Sequence, residues 1–527
     1  MIRNLINEND FSLIKKTNSL YGIFKIIVFI VFIVICLRLF IIISNPKITK
    51  SQQVDEILWP ILFDTNDNIL AQTIESHTIQ INNFHKINYK NRIKLIKDIS
   101  VINSTKASEI NETTGNSFYV VKNPSKNQIS ETIYLGNPEI KFVKTYKRNY
   151  PFNPYTKNLI GKMNFANLGQ SLIEKYINNY NTNLKLSINI DLQKEASDIL
   201  KKEVQIYDAN YGFFILVDLL KEEIIINSYN ANDNYLDKKF DDSVMPSISN
   251  RYQFGSVFKP ITVYSALKNK VLDLDEYFDV TKPLKRFTHN SFIKDFFPVN
   301  EPLKTKDILK KSSNIGAVLI HRKLDCKKQF YMDLQELGLL KSAYIMKEIK
   351  TVKPKEPPFY TRKGDYCDNL AYGYALSVSP INLVNAYARI ITGKMSFQSN
   401  IIKQKNFNDL KLNNISTEIN QLLYYANESE HKLYRNCLVA GKTGTADDQS
   451  IRNISENGNK INNVTYMSYF PYNKPRYLSL TFMNHPKKSK SKDLTAGHTV
   501  KNSFYTILEQ ILFSLELKSC EKNIDTI

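Results

Sequence analysis

From Ile26 to Ile43 the sequence reads IIVFIVFIVICLRLFIII, with Arg38 as its single charge. A bilayer's hydrocarbon core is ~30 Å thick and about 20 apolar residues of helix cross it, so this run, with its flanks, is just long enough to span. Arg38 sits near one end, where its long side chain can snorkel to the interface. The run exceeds a signal-peptide core, and the following SNPKITKSQ offers no small-x-small cleavage site, which predicts an uncleaved anchor over residues 21–44. A buried core helix is the alternative. Arg3, Lys15, Lys16 and Lys25 precede the run, against Lys47 and Lys50 just after it. That asymmetry puts the tail of residues 1–20 in the cytoplasm and the large remainder outside it.

A chain of 527 residues has room for two or more domains beyond such an anchor. Hydrophobic residues at 43% and charged residues at 23% describe ordinary globular material. The net charge of +20 would suit nucleic acid, but no basic stripe interleaved with aromatics occurs. The excess of lysine runs with an excess of Ile, Asn and Tyr throughout, so it reads as compositional bias, and no nucleic-acid partner is expected. The 5 cysteines, Cys36, Cys326, Cys367, Cys437 and Cys520, are odd in number and far apart, which argues against a disulfide framework and against a zinc site. Neither H-E-x-x-H nor a glycine-rich phosphate loop occurs, so neither metal nor cofactor is expected.

Beyond the anchor, short strand-like runs such as PILFDTNDNILAQTI and HTIQINN stand in polar text, and Asn103 to Glu131 reads as loop. LKLSINIDLQKEASDILKKEV passes from alternation to helical spacing after Asp191. GFFILVDLLKEEIIINSYN reads as a hairpin turning at Lys221 to Glu223. Helical segments dominate from Ser256 to about Leu340 and recur in SPINLVNAYARIIT. NCLVAGKTGTA, VTYMSYFPY and RYLSLTFMN then read as strands, and VKNSFYTILEQILFSLEL as a closing helix. Strand pair, helices, three strands and a helix describe an α+β domain, an antiparallel sheet with helices packed around it.

Within that frame, YQFGSVFKPIT sets Ser256 and Lys259 one helical turn apart with Pro260 directly behind. Proline is tolerated only near a helix start, so a helix begins close to Ser256, and its i and i+3 side chains share a face. A hydroxyl at the positive end of a helix beside an amine is the layout of an activated nucleophile. S-x-x-K alone is cheap, recurring at Ser12 with Lys15 and at Ser489 with Lys492. Downstream, KKSSNIGAV gives Ser312 and Asn314 as S-x-N on a turn or helix edge. VAGKTGTA gives Lys442, Thr443 and Gly444 in a strand, where glycine is costly unless something approaches the backbone closely.

S-x-x-K, S-x-N and K-T-G in this order resemble the motif set of the penicillin-binding proteins and β-lactamases. The wording around them, NRYQFGSVFKP, KSSNIGA, YALSVSPINLVNAYA and VAGKTGTA, resembles the penicillin-binding transpeptidases. KRNYPF, GQSLIEKY and LSINIDLQ resemble the pedestal of the class B members, and FIKDFFP and the RLF ending the anchor resemble their cell-division (FtsI-like) type. The elongation type is the runner-up. The resemblance implies a pedestal over residues 45–195, a transpeptidase domain with helices on both faces of its sheet over 196–520, and a short tail, 521–527. It implies a D,D-transpeptidase that cross-links D-Ala-D-Ala stem peptides of peptidoglycan through an acyl-enzyme on Ser256. Lys259 would take the proton, Ser312 and Asn314 would relay it and hold the substrate amide, and Lys442 and Thr443 would bind the terminal carboxylate. Gly444 and Thr445 complete the substrate wall, with the backbone N–H groups of Ser256 and Thr445 as oxyanion hole. Implied partners are the membrane, an FtsW-like polymerase with other division proteins, and β-lactams as inhibitors.

Departures from the family pattern accompany the match. WPILFDTND replaces the usual Arg-Gly and Asp-Arg-x-Gly, which puts the pedestal's ion pairing in question. YALS lacks the second glycine of Gly-Tyr-Gly, and the first hairpin lacks its turn glycine. A penicillin-sensing receptor and a non-catalytic division scaffold share the fold. Further membrane spans would mark the first, and loss of the nucleophile the second.

Overall fold

The computed structural model describes residues 24–38, 59–82, 87–103, 117–164, 168–233, 235, 245–287, 290–356, 365–404, 412–427, 437–447, 462–489, 493–515 and 517. It divides into two compact units, Met1–Leu58 and Trp59–Ile527. In the first, residues 24–38 form helix α1, with exposed side chains. The rest of the expected 21–44 anchor, the 1–20 tail and the 521–527 tail lie outside the described residues. Among the described residues no helix is long and apolar enough to cross a membrane.

The second unit opens with a sheet built on strand β2 (Ile69–Asn82). Strands β1 (Leu62–Phe63), β3 (Ser117–Lys122) and β4 (Ile140–Asn149) pair antiparallel with β2, and β5 (Leu184–Lys185) pairs parallel with β1. The stretch expected to be loop therefore holds β3 and the start of helix α2 (Lys126–Tyr134). Its signal is a capping box: Gln128 N donates to Ser125 Oγ at 3.2 Å and Ser125 N to Gln128 Oε1 at 2.8 Å. Near the end of β4, the buried Arg148 donates to Glu174 Oε1 at 2.8 Å and to the carbonyl of Pro60 at 2.8 Å. An ion pair thus holds this region together although the usual motifs upstream are missing.

Strands β6 (Tyr211–Asp218), β7 (Glu223–Ala231), β8 (Ala440–Asp447), β9 (Asn462–Phe470) and β10 (Tyr477–Asn484) form the main sheet, all antiparallel, in the order β8-β9-β10-β6-β7. β6 is buried at every position, so it reads as a continuous apolar run and not as an alternation. Phe214 and Leu216 pack with helices α3 (Ile190–Ile206) and α9 (Val500–Ile511), while Phe213, Ile215 and Val217 join the larger core on the opposite face. That core includes helices α4 (Lys259–Lys268), α6 (Asn314–His321) and α8 (Pro380–Thr392). The helical stretch expected from Ser256 is interrupted: residues 277–304 carry short strands in place of helix. Strand β8 is an outer strand, paired on one side only among the described residues.

The two missing glycines fall where glycine geometry is required. Glu222, in the β6–β7 turn, has φ +56°, and Ala375 has φ +72°. The turn is closed by Asp218, whose Oδ1 accepts from Leu220 N and Lys221 N at 2.9 and 3.0 Å, and Glu222 pairs with Lys394. The chain thus holds a glycine-like backbone at both positions and carries the strain of a side chain there, about 1–2 kcal/mol per residue.

The cysteines correct the sequence reading. Cys326 and Cys367 form a disulfide with Cα atoms 6.1 Å apart, joining the segment after α6 to helix α7 (Asp365–Ala371). A separation of 41 residues carries no sign of closeness; the packing of α7 against α6 supplies it.

Candidate active site

Residues Gly255–Phe258 form one 3₁₀ turn that runs into α4, with Pro260 in the first α-turn. Three glycines let backbones meet around that turn. A Cβ on Gly255 (φ +57°) would stand 2.6 Å from Thr445 O, and one on Gly444 would stand 2.5 Å from Phe254 O. A Cβ on Gly373 would stand 2.0 Å from Gly255 O. Strand β8 and the Gly373 turn thus grip the segment that carries Ser256.

Lys259 is 0% exposed and lies behind Ser256. Its Nζ is 3.0 Å from Ser256 Oγ and 3.1 Å from Ser312 Oγ, and it also donates to the Ser312 carbonyl. Burial, reinforced by the Lys442 ammonium, holds Lys259 well below the usual lysine range, and Asp295 opposes both effects. A neutral amine there has a lone pair to offer the Ser256 hydroxyl proton.

Ser312 ends helix α5 (Thr305–Lys311) in the left-handed region, φ +56° and ψ +40°. That conformation turns its carbonyl to Lys259 and sets its Oγ between two amines, since Lys442 Nζ is also 3.1 Å away. Lys442 donates further to Thr443 O at 3.1 Å, and burial with the nearby Lys501 charge lowers it to about 7. Asn314 opens α6, and its Nδ2 donates to Lys294 O at 3.0 Å.

Ser256, Ser312, Asn314, Lys442, Thr443, Gly444 and Thr445 line one cavity of about 930 Å³. The S-x-x-K and S-x-N residues thus converge with the β8 strand, although they are distant in the chain. Phe296, Phe297, Tyr374 and Lys501 line it too, and sequence reasoning named none of them. Asp295 was missed as well. Its Oδ2 accepts from Ser313 Oγ at 2.6 Å and its Oδ1 from Ile315 N at 3.0 Å and from Asn314 N. It therefore caps the helix that carries Asn314. The only signal was an acid in FIKDFFP, ahead of a helix start it reaches through space.

Residues 212–509 match the family described as penicillin binding protein transpeptidase domain. The chain is 26% identical over 484 residues to the peptidoglycan D,D-transpeptidase FtsI of Buchnera aphidicola subsp. Baizongia pistaciae, covering 79% of each. It is 23% identical over 401 residues to FtsI of Escherichia coli K12, covering 67% of this chain and 65% of that one. The fold is similar to a solved structure of penicillin-binding protein 3 from Mycobacterium tuberculosis complexed with aztreonam. That match has a TM-score of 0.62 at 16% identity, over 86% of this chain and 96% of that one. The family match covers more than half of the sequence: the chain belongs to the penicillin-binding protein transpeptidases.

Proposed function

We propose that the protein is a peptidoglycan D,D-transpeptidase of the septal type, acting through an acyl-enzyme on Ser256. The reading rests on Lys259 Nζ standing 3.0 Å from Ser256 Oγ and 3.1 Å from Ser312 Oγ. Lys259, neutral in its buried site, takes the Ser256 proton as Oγ attacks the carbonyl of the penultimate D-Ala. The backbone N–H groups of Ser256 and Thr445 hold the oxyanion, a contribution of roughly 3 kcal/mol per donor. Ser312 passes the proton to the leaving D-Ala amine, and the peptide bond breaks to leave an ester on Ser256. An amine of a neighbouring stem peptide then attacks that ester, its proton returns to Ser256, and the cross-link forms. Asn314 holds the substrate amide, and Lys442 with Thr443 holds its terminal carboxylate. β-Lactams acylate the same hydroxyl.

Residues 21–44 anchor the chain once in the cytoplasmic membrane, with the tail of residues 1–20 inside and the catalytic domain outside. The Cys326–Cys367 disulfide supports an oxidising compartment for that domain. An FtsW-like polymerase and other division proteins are the partners this placement implies.

A fluorescent penicillin is expected to label the wild type covalently and to leave Ser256→Ala unlabelled. Wild-type labelling of Ser256→Ala would remove the assigned nucleophile. Depletion is expected to produce filaments, whereas round cells would assign the enzyme to elongation.

A further inference from the structure

Helix α7 spans only 7 residues, and so short a helix has little stability of its own. Its orientation is therefore set by what it is tied to. On one side it is tied to the end of α6. The Cys326–Cys367 disulfide holds two Cα atoms 6.1 Å apart, and Arg322 donates through Nε to Asp368 Oδ1 at 3.0 Å and through Nη2 to Oδ2 at 2.6 Å. The ion pair hangs on a long, rotatable side chain, whereas the disulfide joins the two segments covalently. Both cysteines are half-buried, so the bond is not sealed in the core.

On its other side α7 ends against the catalytic turn. Ala371 O accepts from Thr262 Oγ1 at 2.8 Å, Gly373 O from Gly255 N at 3.2 Å, and the Tyr374 hydroxyl from Asp447 N at 3.3 Å. These contacts reach, in turn, the helix that carries Lys259, the turn that carries Ser256 and the strand that carries Lys442. A Cβ on Gly373 would stand 2.0 Å from Gly255 O, so the two turns touch backbone to backbone. Close-packed elements pass a displacement on to their neighbours, and a shift of α7 therefore moves the Ser256 hydroxyl relative to Lys259. Because α6 opens with Asn314, the disulfide also joins the far end of the S-x-N helix to the support behind S-x-x-K.

Building on the transpeptidase reading, we propose that the Cys326–Cys367 disulfide is a positioning element of the active site. It holds α7 where the Gly373 turn seats Ser256 for attack, and a dithiol that reduces it slows acylation. The attacking thiolate forms a mixed disulfide with one cysteine, the second thiol of the reductant closes it into a cyclic disulfide, and Cys326 and Cys367 are left as thiols carrying the reductant's protons. Neither cysteine is among the residues that line the cavity, so the effect reaches Ser256 only through α7.

The test measures, on the full-length protein, the Kd of benzylpenicillin in the initial complex and the rate constant of the acylation that follows. Untreated wild type is compared with wild type reduced by dithiothreitol and with the double variant Cys326→Ser, Cys367→Ser. Reduction and the double substitution are each expected to slow acylation roughly tenfold or more, as a displacement of about 1 Å does, and to leave Kd within about twofold. Dithiothreitol should not change the double variant further, and glutathione disulfide should restore the reduced wild type. An acylation rate constant in the double variant within about twofold of the untreated wild type overturns the inference, as does a loss carried by Kd alone. Should the double variant lack a cooperative melt, the wild type decides. Alkylation and peptide masses give the fraction of Cys326 and Cys367 reduced, and a rate constant that does not fall as that fraction rises overturns the inference. Loss of the folded state on reduction overturns it too, because the disulfide would then hold the fold and not the site. Failure of the untreated wild type to be acylated at all would instead remove the transpeptidase reading itself.

Discussion

Lys259 and Lys442 share one acceptor: each Nζ lies 3.1 Å from Ser312 Oγ. A hydroxyl has two lone pairs and one proton, so Ser312 can accept from both amines while its own proton points into the cavity. The left-handed backbone of Ser312 holds it in that position, which makes the pair of lysines a single electrostatic unit.

The first consequence is a pH profile. The proposed mechanism calls for Lys259 neutral and Lys442 charged, so the rate is expected to rise with pH and then fall above about 7, where Lys442 loses its proton. Lys442→Met should react more slowly and lose that alkaline fall. Stability carries the opposite sign. Folded Lys442 binds its proton more weakly than the unfolded chain, at about 7 against 10.5, so stability rises with pH across that window. Lys442→Met should therefore melt higher at pH 7, by up to about 4 kcal/mol, with a flatter pH dependence. Thermal melts between pH 6 and about 10 check this, and a wild type that loses stability across that window contradicts it.

Asp295→Asn removes the charge that caps α6 and that raises Lys259. Asn keeps an acceptor for the helix N–H groups, so loss of the charge at the start of α6 is expected to cost only about 0.3–1 kcal/mol. The Lys259 value should fall further, moving the acid limb of the acylation profile to lower pH. A rate profile unmoved on its acid side would mean that Asp295 only shapes the helix.

Gly373 and Ala375 make opposite predictions two residues apart. Gly373→Ala would drive a Cβ to 2.0 Å from Gly255 O and displace the Ser256 turn, so penicillin labelling is expected to fall roughly 10²-fold. Ala375→Gly relieves a positive φ and is expected to stabilise by about 0.5–1 kcal/mol with labelling intact. Chemical denaturation and labelling rates separate the two.

Arg148→Met leaves Glu174 buried without its cation, which is expected to cost about 3–5 kcal/mol. Burial already raises Glu174 and Arg148 opposes that, so the variant's acid should titrate higher still. The double variant Arg148→Met, Glu174→Leu should regain much of the loss; a double variant no better than the single would show that the Arg148 contacts to Trp59 and Pro60 dominate.

What the sequence made legible is local. Pro260 behind Lys259 dictates a helix start, and the β6 and β9 runs announce buried strands, because each depends on neighbours a few residues away. Asp295 and Lys501 could not be found this way, since the first acts on a helix start 18 residues on and the second reaches its place only when α9 packs on the sheet. Cys326 and Cys367 are silent for the same reason. The β3–α2 stretch was legible in part: Ser125 and Gln128 have capping-box spacing, but polar neighbours hid it. Glu222 and Ala375 were visible only as missing glycines, and nothing in their neighbours told that both positions adopt positive φ.

Strand β8 borders the cavity and has no strand partner on its outer side among the described residues. An extended peptide can zip onto such an edge as an added strand, recognised by its main chain before any side chain is read. The cleft would then tolerate varied side chains along the incoming peptide, while fixing the direction in which it lies and hence which of its carbonyls meets Ser256.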